Sequence, residues 1–184
     1  MKSKLRLIFK NVSEIVGNEE IGLLVLTDEA EKRQLTIPCD KAMLIQFGIR
    51  LNHSPITGKL LPEVLWQIID MQTNFRYEII IDDIVNGKYR ALLYNIDTLE
   101  PIVLRASDAV LFSYISKTPI YIETSLMEKQ SVPYNSLSGG VSLPVNVLED
   151  EMLKEALSRA IKDENYELAS HLRDEIQRRK DKKQ

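Results

Sequence analysis

Four aspartates, Asp40, Asp82, Asp83 and Asp108, and three cations, Lys41, Lys59 and Arg105, are the residues here whose types could do chemistry together. Carboxylates can hold a divalent cation or activate water, and lysine or arginine can neutralise the charge on a phosphate. The set therefore suits hydrolysis of a phosphate ester. Each acid also has a plainer reading. Asp108 suits the positive end of a helix dipole, Asp40 can cap a helix N-terminus, and Asp82-Asp83 can be the polar end of a strand before a turn. His53 and His171 are too few and too scattered for a zinc site, and Cys39 has no partner at ligand spacing. No phosphate-binding glycine loop and no nucleophile elbow occurs. Phe75, Tyr77, Tyr89 and Tyr94 could stack on bases, although strand aromatics commonly serve as cross-strand packing.

The stretch that must position the central pair is Pro101 to Glu123. Ile102, Val103 and Leu104 predict a short buried strand. Ser107 is expected as the N-cap of a helix carried by Ala109, Val110, Phe112 and Ile115 to Lys117. Thr118-Pro119 stops it, because the residue before proline is pushed out of helical space. Ile120 to Ile122 resume as a strand. Arg105 and Asp108 then flank the strand-to-helix junction.

Upstream, Leu5, Leu7 and Phe9 alternate with Arg6, Ile8 and Lys10 as in a half-buried strand, and Gly17-Asn18 marks a turn. Ile21 to Thr27 and Gln34 to Pro38 read as strands joined by a charged connection. Asp40 can cap a helix running to about Leu51, with Met43, Leu44, Phe47 and Leu51 at helical spacing. After a loop with Pro55 and Gly58, a second helix starts at Leu61-Pro62. Phe75 to Ile84 and Tyr89 to Ile96 are strands joined at Asn86-Gly87, the strongest short hairpin signal. The fold class expected is α+β: a mixed sheet with packed helices over 1–132, then a Pro/Ser/Gly linker over 133–147 and a helical hairpin over 148–180.

Composition sets the bounds. A chain of 184 residues with 44 % hydrophobic residues is long and apolar enough for a good-sized domain plus an appendage. A net charge of −3 announces no nucleic-acid partner, so any such contact needs a local patch. One cysteine forbids an internal disulfide. The opening MKSKLRLIFKNV reads as a strand rather than a signal peptide, and no apolar run reaches the ~20 residues of a membrane span. A soluble cytoplasmic protein is expected.

The run Arg105-Ala106-Ser107-Asp108-Ala109, a helix, then Thr118-Pro119-Ile120-Tyr121 resembles the signature of the bifunctional nuclease (BFN) domain family. Members there usually read Arg-Pro-Ser-Asp-Ala, a helix, then Ala-Pro-Ile. Gln34 to Ile45, Pro55 to Leu65 and the hairpin at Asn86-Gly87 agree in order. The resemblance implies an RNA/DNA hydrolase of little sequence preference, assisted by magnesium or manganese. Arg105, Ser107 and Asp108 would be catalytic, Asp40 and Asp108 would hold metal, and Lys41 and Lys59 would hold nucleic acid. The chain departs from the family where Lys41 replaces an acid, and where Gly58-Lys59 replace histidine and aspartate. A lysine cannot hold a metal ion. These departures imply the alternative of a catalytically inactive oligomeric scaffold or adaptor.

Beyond the linker, apolar residues step at three or four, pause at Asp163-Glu164-Asn165, and resume, which predicts two short helices joined by a tight turn. Leu153, Leu157, Ala160, the corner Glu164 to Glu167, Ala169 and the run Leu172-Arg173-Asp174-Glu175-Ile176 resemble the UVR motif of the excision-repair B and C subunits. That resemblance implies protein–protein docking. Leu153, Leu157, Ile161, Leu172, Arg173 and Ile176 are the expected interaction residues, giving a homo-oligomer or a partner protein.

Overall fold

The computed structural model describes residues 3–15, 18–134, 150–162, 164 and 166–181. The chain forms two compact units, Met1–Ser142 and Leu143–Gln184. The first unit is α+β, as the sequence predicts. Its strands are β1 (Lys4–Ile15), β2 (Asn18–Asp28), β3 (Arg33–Asp40), β4 (Tyr77–Val85), β5 (Lys88–Asn95), β6 (Pro101–Arg105), β7 (Ile120–Glu123) and β8 (Val132–Pro133). They make one mixed sheet in the order β6-β5-β4-β7-β1-β2-β3-β8, in which β4–β7 is the parallel pair. The helices are α1 (Lys41–Leu51), α2 (Leu61–Gln72), α3 (Ala106–Ser116) and α4 (Thr124–Gln130), with a 3-10 turn at Thr57–Lys59.

Apolar residues dominate α3, and the side that carries them has to be enclosed. Ala106, Ala109, Val110 and Leu111 are buried with Leu24, Leu35, Ile79, Ala91 and Ile122 from five strands. The sheet curls to provide this enclosure. Six strand spacings separate β6 from β3, which in a flat sheet is about 29 Å. Yet Arg105 at the end of β6 donates to Asp40 at the end of β3 over 2.9 Å. The two distant strands are brought around α3 until their side chains touch.

Local signals explain most of the elements. Asn86 and Gly87 both take positive φ, 52° and 76°, as the tight turn between β4 and β5 requires. Asp40 caps α1, its Oδ1 accepting from the Met43 N–H at 2.8 Å. At α3 the expectation changes. Ser107 is not the cap: extended Arg105 precedes the first helical residue, Ala106, and buried Ser107 lies inside the first turn. Lys117, left-handed at φ 61°, ends the helix one residue before Thr118-Pro119. The strand expected from Phe75 begins at Tyr77, and Leu5 is more exposed than a half-buried face implies.

Two elements lie outside the sequence reading. The seven residues of α4 are too few to show a helical period, and only Met127 is buried. The expected linker also begins later than predicted. Arg33 donates from Nε to Ser131 Oγ at 2.6 Å and from Nη2 to the Ser131 carbonyl at 2.7 Å. That fork ties down the short β8, which pairs with β3 and includes Pro133 at the sheet edge. The rest of the linker, 135–147, and Gly17 of the expected first turn lie outside the described residues.

The second unit consists of α5 (Asp150–Lys162) and α6 (Tyr166–Asp181), which meet at a corner where Glu164 takes φ 54°. Leu153, Ala160, Ala169 and Leu172 form its core, with Leu157 and Ile176 packed on them. Ile161, expected on the facing stripe, is 55 % exposed, and Ala160 takes the inner position instead. The reason is geometric: Ala160 continues the row Leu153–Leu157 at spacings of four and three, and Ile161 turns past it.

Candidate functional site

Arg105 is the hub of the site. It follows the last apolar residue of β6, and the curl of the sheet carries it to the N-terminal ends of both α1 and α3. Its Nε and Nη2 donate to the two carboxylate oxygens of Asp108 in the first turn of α3. Its Nη1 donates to Asp40 Oδ2. One planar guanidinium thus holds two aspartates separated by 68 residues of chain, a fork-to-carboxylate geometry that a lysine could not reproduce. The group is accessible, with the Arg105 side chain 63 % exposed.

The charges tune one another. The Met43 N–H, followed by the Arg105 guanidinium, holds the Asp40 carboxyl below the usual carboxylate range. The Asp108 and Asp40 carboxylates push the Arg105 guanidinium further up, so it stays charged. Nearby Cys39 is buried, and that burial raises its thiol to about 11. A thiol so protonated is inert as a nucleophile.

A cleft of about 430 Å³ opens beside this bridge. Asp40 at the end of β3 with Met43 and Gln46 of α1 forms one wall, Leu60, Leu61 and Pro62 a second, and Arg105, Asp108 and Leu111 the third. The start of α2 is therefore part of the site, although α2 contains no buried residue. Two devices hold it. Arg50 of α1 is buried and donates from Nε and Nη2 to both Glu63 oxygens at 2.8 Å. Its Nη1 also donates to the Gln46 backbone carbonyl and side-chain Oε1, at 2.8 Å each. Trp66 meets Phe112 and Tyr77 edge-on, at centroid distances of 5.4 and 6.2 Å.

Of the residues expected from sequence, Arg105, Asp108 and Asp40 come together. Ser107 is buried in α3 and does not line the cleft. Lys41, the first residue of α1, and Lys59, in the 3-10 turn, are both exposed and flank the lining residues Asp40, Ala42 and Leu60 without joining them. Asp82 and Asp83 form a separate group. A bulge at Asp82 lets it accept from Arg90 Nε and Nη2 at 2.8 and 2.7 Å. Tyr89 is buried in the core and Tyr77 packs on Trp66, so neither presents a free face for a base. The Arg50–Glu63 clamp was missed by the sequence reading. Its signal is that Arg50 continues the buried row Met43–Phe47 at helical spacing, where a charge needs a partner.

A divalent cation takes several oxygen ligands. Among the described residues no three histidine, cysteine, aspartate or glutamate side chains converge. The two carboxylates at the cleft are already joined to one guanidinium, whose positive charge takes the place a cation would need. The residues present do not fit a metal ion in this arrangement. What they can do is bind an anionic group at Arg105 and present Asp108 to a water beside it.

A family model described as the bifunctional nuclease domain matches residues 24–135, which takes in α1, α2, α3 and every residue of the cleft. A search of curated proteins found no match. No helix among the described residues is long and apolar enough to cross a membrane.

Proposed function

The chain belongs to the bifunctional nuclease domain family, and on that premise we propose that it binds the sugar–phosphate backbone of RNA or DNA at Arg105 and hydrolyses it there. The observation that carries this reading is the Arg105 bridge: an exposed guanidinium between two carboxylates, at the mouth of a cleft, beside two helix N-termini. A phosphodiester oxygen would take the outward side of Arg105, which then stabilises the charge that grows on phosphorus. Asp40 is committed to capping α1, so Asp108 is the carboxylate assigned to orient and deprotonate water. Attack of that water on phosphorus breaks one P–O ester bond. The proton lost from water goes to Asp108, and the leaving oxygen is protonated from solvent. Contact through the backbone alone gives little sequence preference. Lys41 and Lys59, beside the cleft, would extend the phosphate track.

A second reading rests on the same bridge. If both carboxylates are there only to fix Arg105 and close the sheet around α3, the unit is a non-catalytic scaffold. The UVR-like hairpin would then recruit a partner protein through exposed Ile161 and Arg173.

Binding of a labelled single-stranded oligonucleotide, followed by anisotropy across a salt series, tests the assignment of Arg105. Arg105→Ala should weaken binding about tenfold and lower the salt slope by about one. Asp108→Asn should bind at least as well as the parent, since it removes a negative charge. Unchanged binding by Arg105→Ala overturns the site, and binding without cleavage by the parent supports the scaffold reading.

A further inference from the structure

We propose that Gln46 is a second substrate-binding donor of the cleft, its side-chain amide donating to a non-bridging oxygen of the phosphodiester held at Arg105. The inference rests on the reading of the cleft as a phosphodiester site and adds a residue to it. Gln46 lies on α1, half-buried, and lines the cleft. Its Oε1 accepts from Nη1 of buried Arg50, about one turn further along the helix, at 2.8 Å. A guanidinium has donors and no acceptor, so only the oxygen of the amide can face it, and the amide cannot be flipped. Nε2 is therefore turned away from Arg50. It has no hydrogen-bond partner among the described residues and is not itself buried, so its N–H groups stay accessible at the wall that Gln46 forms.

The composition of the walls makes this donor matter. Among the side chains that line the cleft, Arg105 and Gln46 carry N–H donors; the rest are carboxylates or apolar. Arg105 already commits Nε, Nη1 and Nη2 to Asp108 and Asp40, so much of its donor capacity is taken. A phosphodiester has two non-bridging oxygens, each able to accept more than one hydrogen bond. Gln46 supplies further donors without adding a charge that would compete for the two aspartates. Its amide is held by a chain of contacts. Glu63 accepts from Nε and Nη2 of Arg50, and that pairing leaves Nη1 aimed at the Gln46 carbonyl and Oε1. Arg50 is thus a positioning residue for Gln46 as well as a strut for α2. A donor fixed in advance loses little freedom on binding, which favours affinity.

Anisotropy of a labelled single-stranded oligonucleotide with the full chain tests the assignment. Gln46→Ala should weaken binding about tenfold, as expected for a lost hydrogen bond to a charged group. Gln46→Glu keeps an oxygen for Arg50 and should melt with the parent. It should nonetheless bind no better than Gln46→Ala, because a carboxylate repels the phosphate. Arg50→Met/Glu63→Leu frees the amide to rotate. That pair should weaken binding about threefold in the parent and not at all in the Gln46→Ala background, a coupling that a purely structural role does not produce. Parental affinity in folded Gln46→Ala and Gln46→Glu, with Arg105→Ala still weakened, overturns the inference and leaves the Arg105 site standing. Parental affinity in Arg105→Ala as well overturns both. Equal weakening by the Arg50/Glu63 pair in the two backgrounds overturns the positioning of Gln46 by Arg50.

Discussion

Replacing Glu63 by alanine tests how α2 is held. Arg50 has a side chain only 1 % exposed, and two of its three hydrogen-bonding nitrogens rely on Glu63. Removing one partner of a buried pair typically costs about 3–5 kcal/mol, because the remaining charge is left uncompensated. Gln46 still accepts from Nη1, which places the expectation near the lower end, about 3 kcal/mol. At roughly 3 °C per kcal/mol this lowers the main melting transition by about 9 °C. Because α2 has no buried residue, its amides should also exchange faster than those of α1 and α3. The double variant Arg50→Met/Glu63→Leu removes both charges and should recover stability to within about 1 kcal/mol of the parent. Thermal melting by circular dichroism, with hydrogen exchange resolved by segment, measures both effects. A loss below about 1 kcal/mol with unchanged exchange in α2 would refute the clamp and leave the packing of Trp66 on Phe112 and Tyr77 as the anchor.

The Asp40 cap predicts a pH signature. Its folded-state pKa is lowered, so its contribution to stability is present above the unfolded value near ~3.9 and lost as pH falls through the folded value. Acid titration of the parent should therefore be steeper below about pH 4 than that of Asp40→Asn, as urea midpoints would show. Gly22→Ala should destabilise by about 1–3 kcal/mol. An added Cβ would stand 2.1 Å from Leu44 Cδ2. Leu44→Ala in the same chain should return part of that loss, which paired chemical denaturation would reveal.

Much of this fold is legible in the sequence, because its strands and helices carry local signals. The apolar run of β2, the Asp40 cap and the Asn86-Gly87 turn each depend on a few neighbouring residues. The curl of the sheet does not. It is set by the pairing of strands distant in sequence and by the need to enclose the apolar residues of α3. For this reason Arg105 and Asp108 could be placed together from three residues of spacing, while their union with Asp40 required the structure. Ser107 misled because serine is a favoured cap type. The backbone turns helical two residues earlier than a Ser107 cap requires, at Ala106, and leaves Ser107 buried. The apolar face of α2 has a periodic pattern in sequence, but whether such a face is covered depends on what packs there.

The central claim is hydrolysis at the Arg105 cleft, and cleavage of end-labelled single-stranded RNA and DNA by the full chain tests it most directly. The parent, Asp108→Asn and Arg105→Ala would be compared at equal concentration, each with magnesium, with manganese and with chelator. The prediction is that the parent cleaves both polymers with little sequence preference. Asp108→Asn should lose at least 100-fold in rate, while its melting and oligonucleotide binding match the parent. A folded Asp108→Asn that cleaves at the parental rate, or a parent that binds the oligonucleotide and cleaves nothing under any of the three conditions, would contradict it.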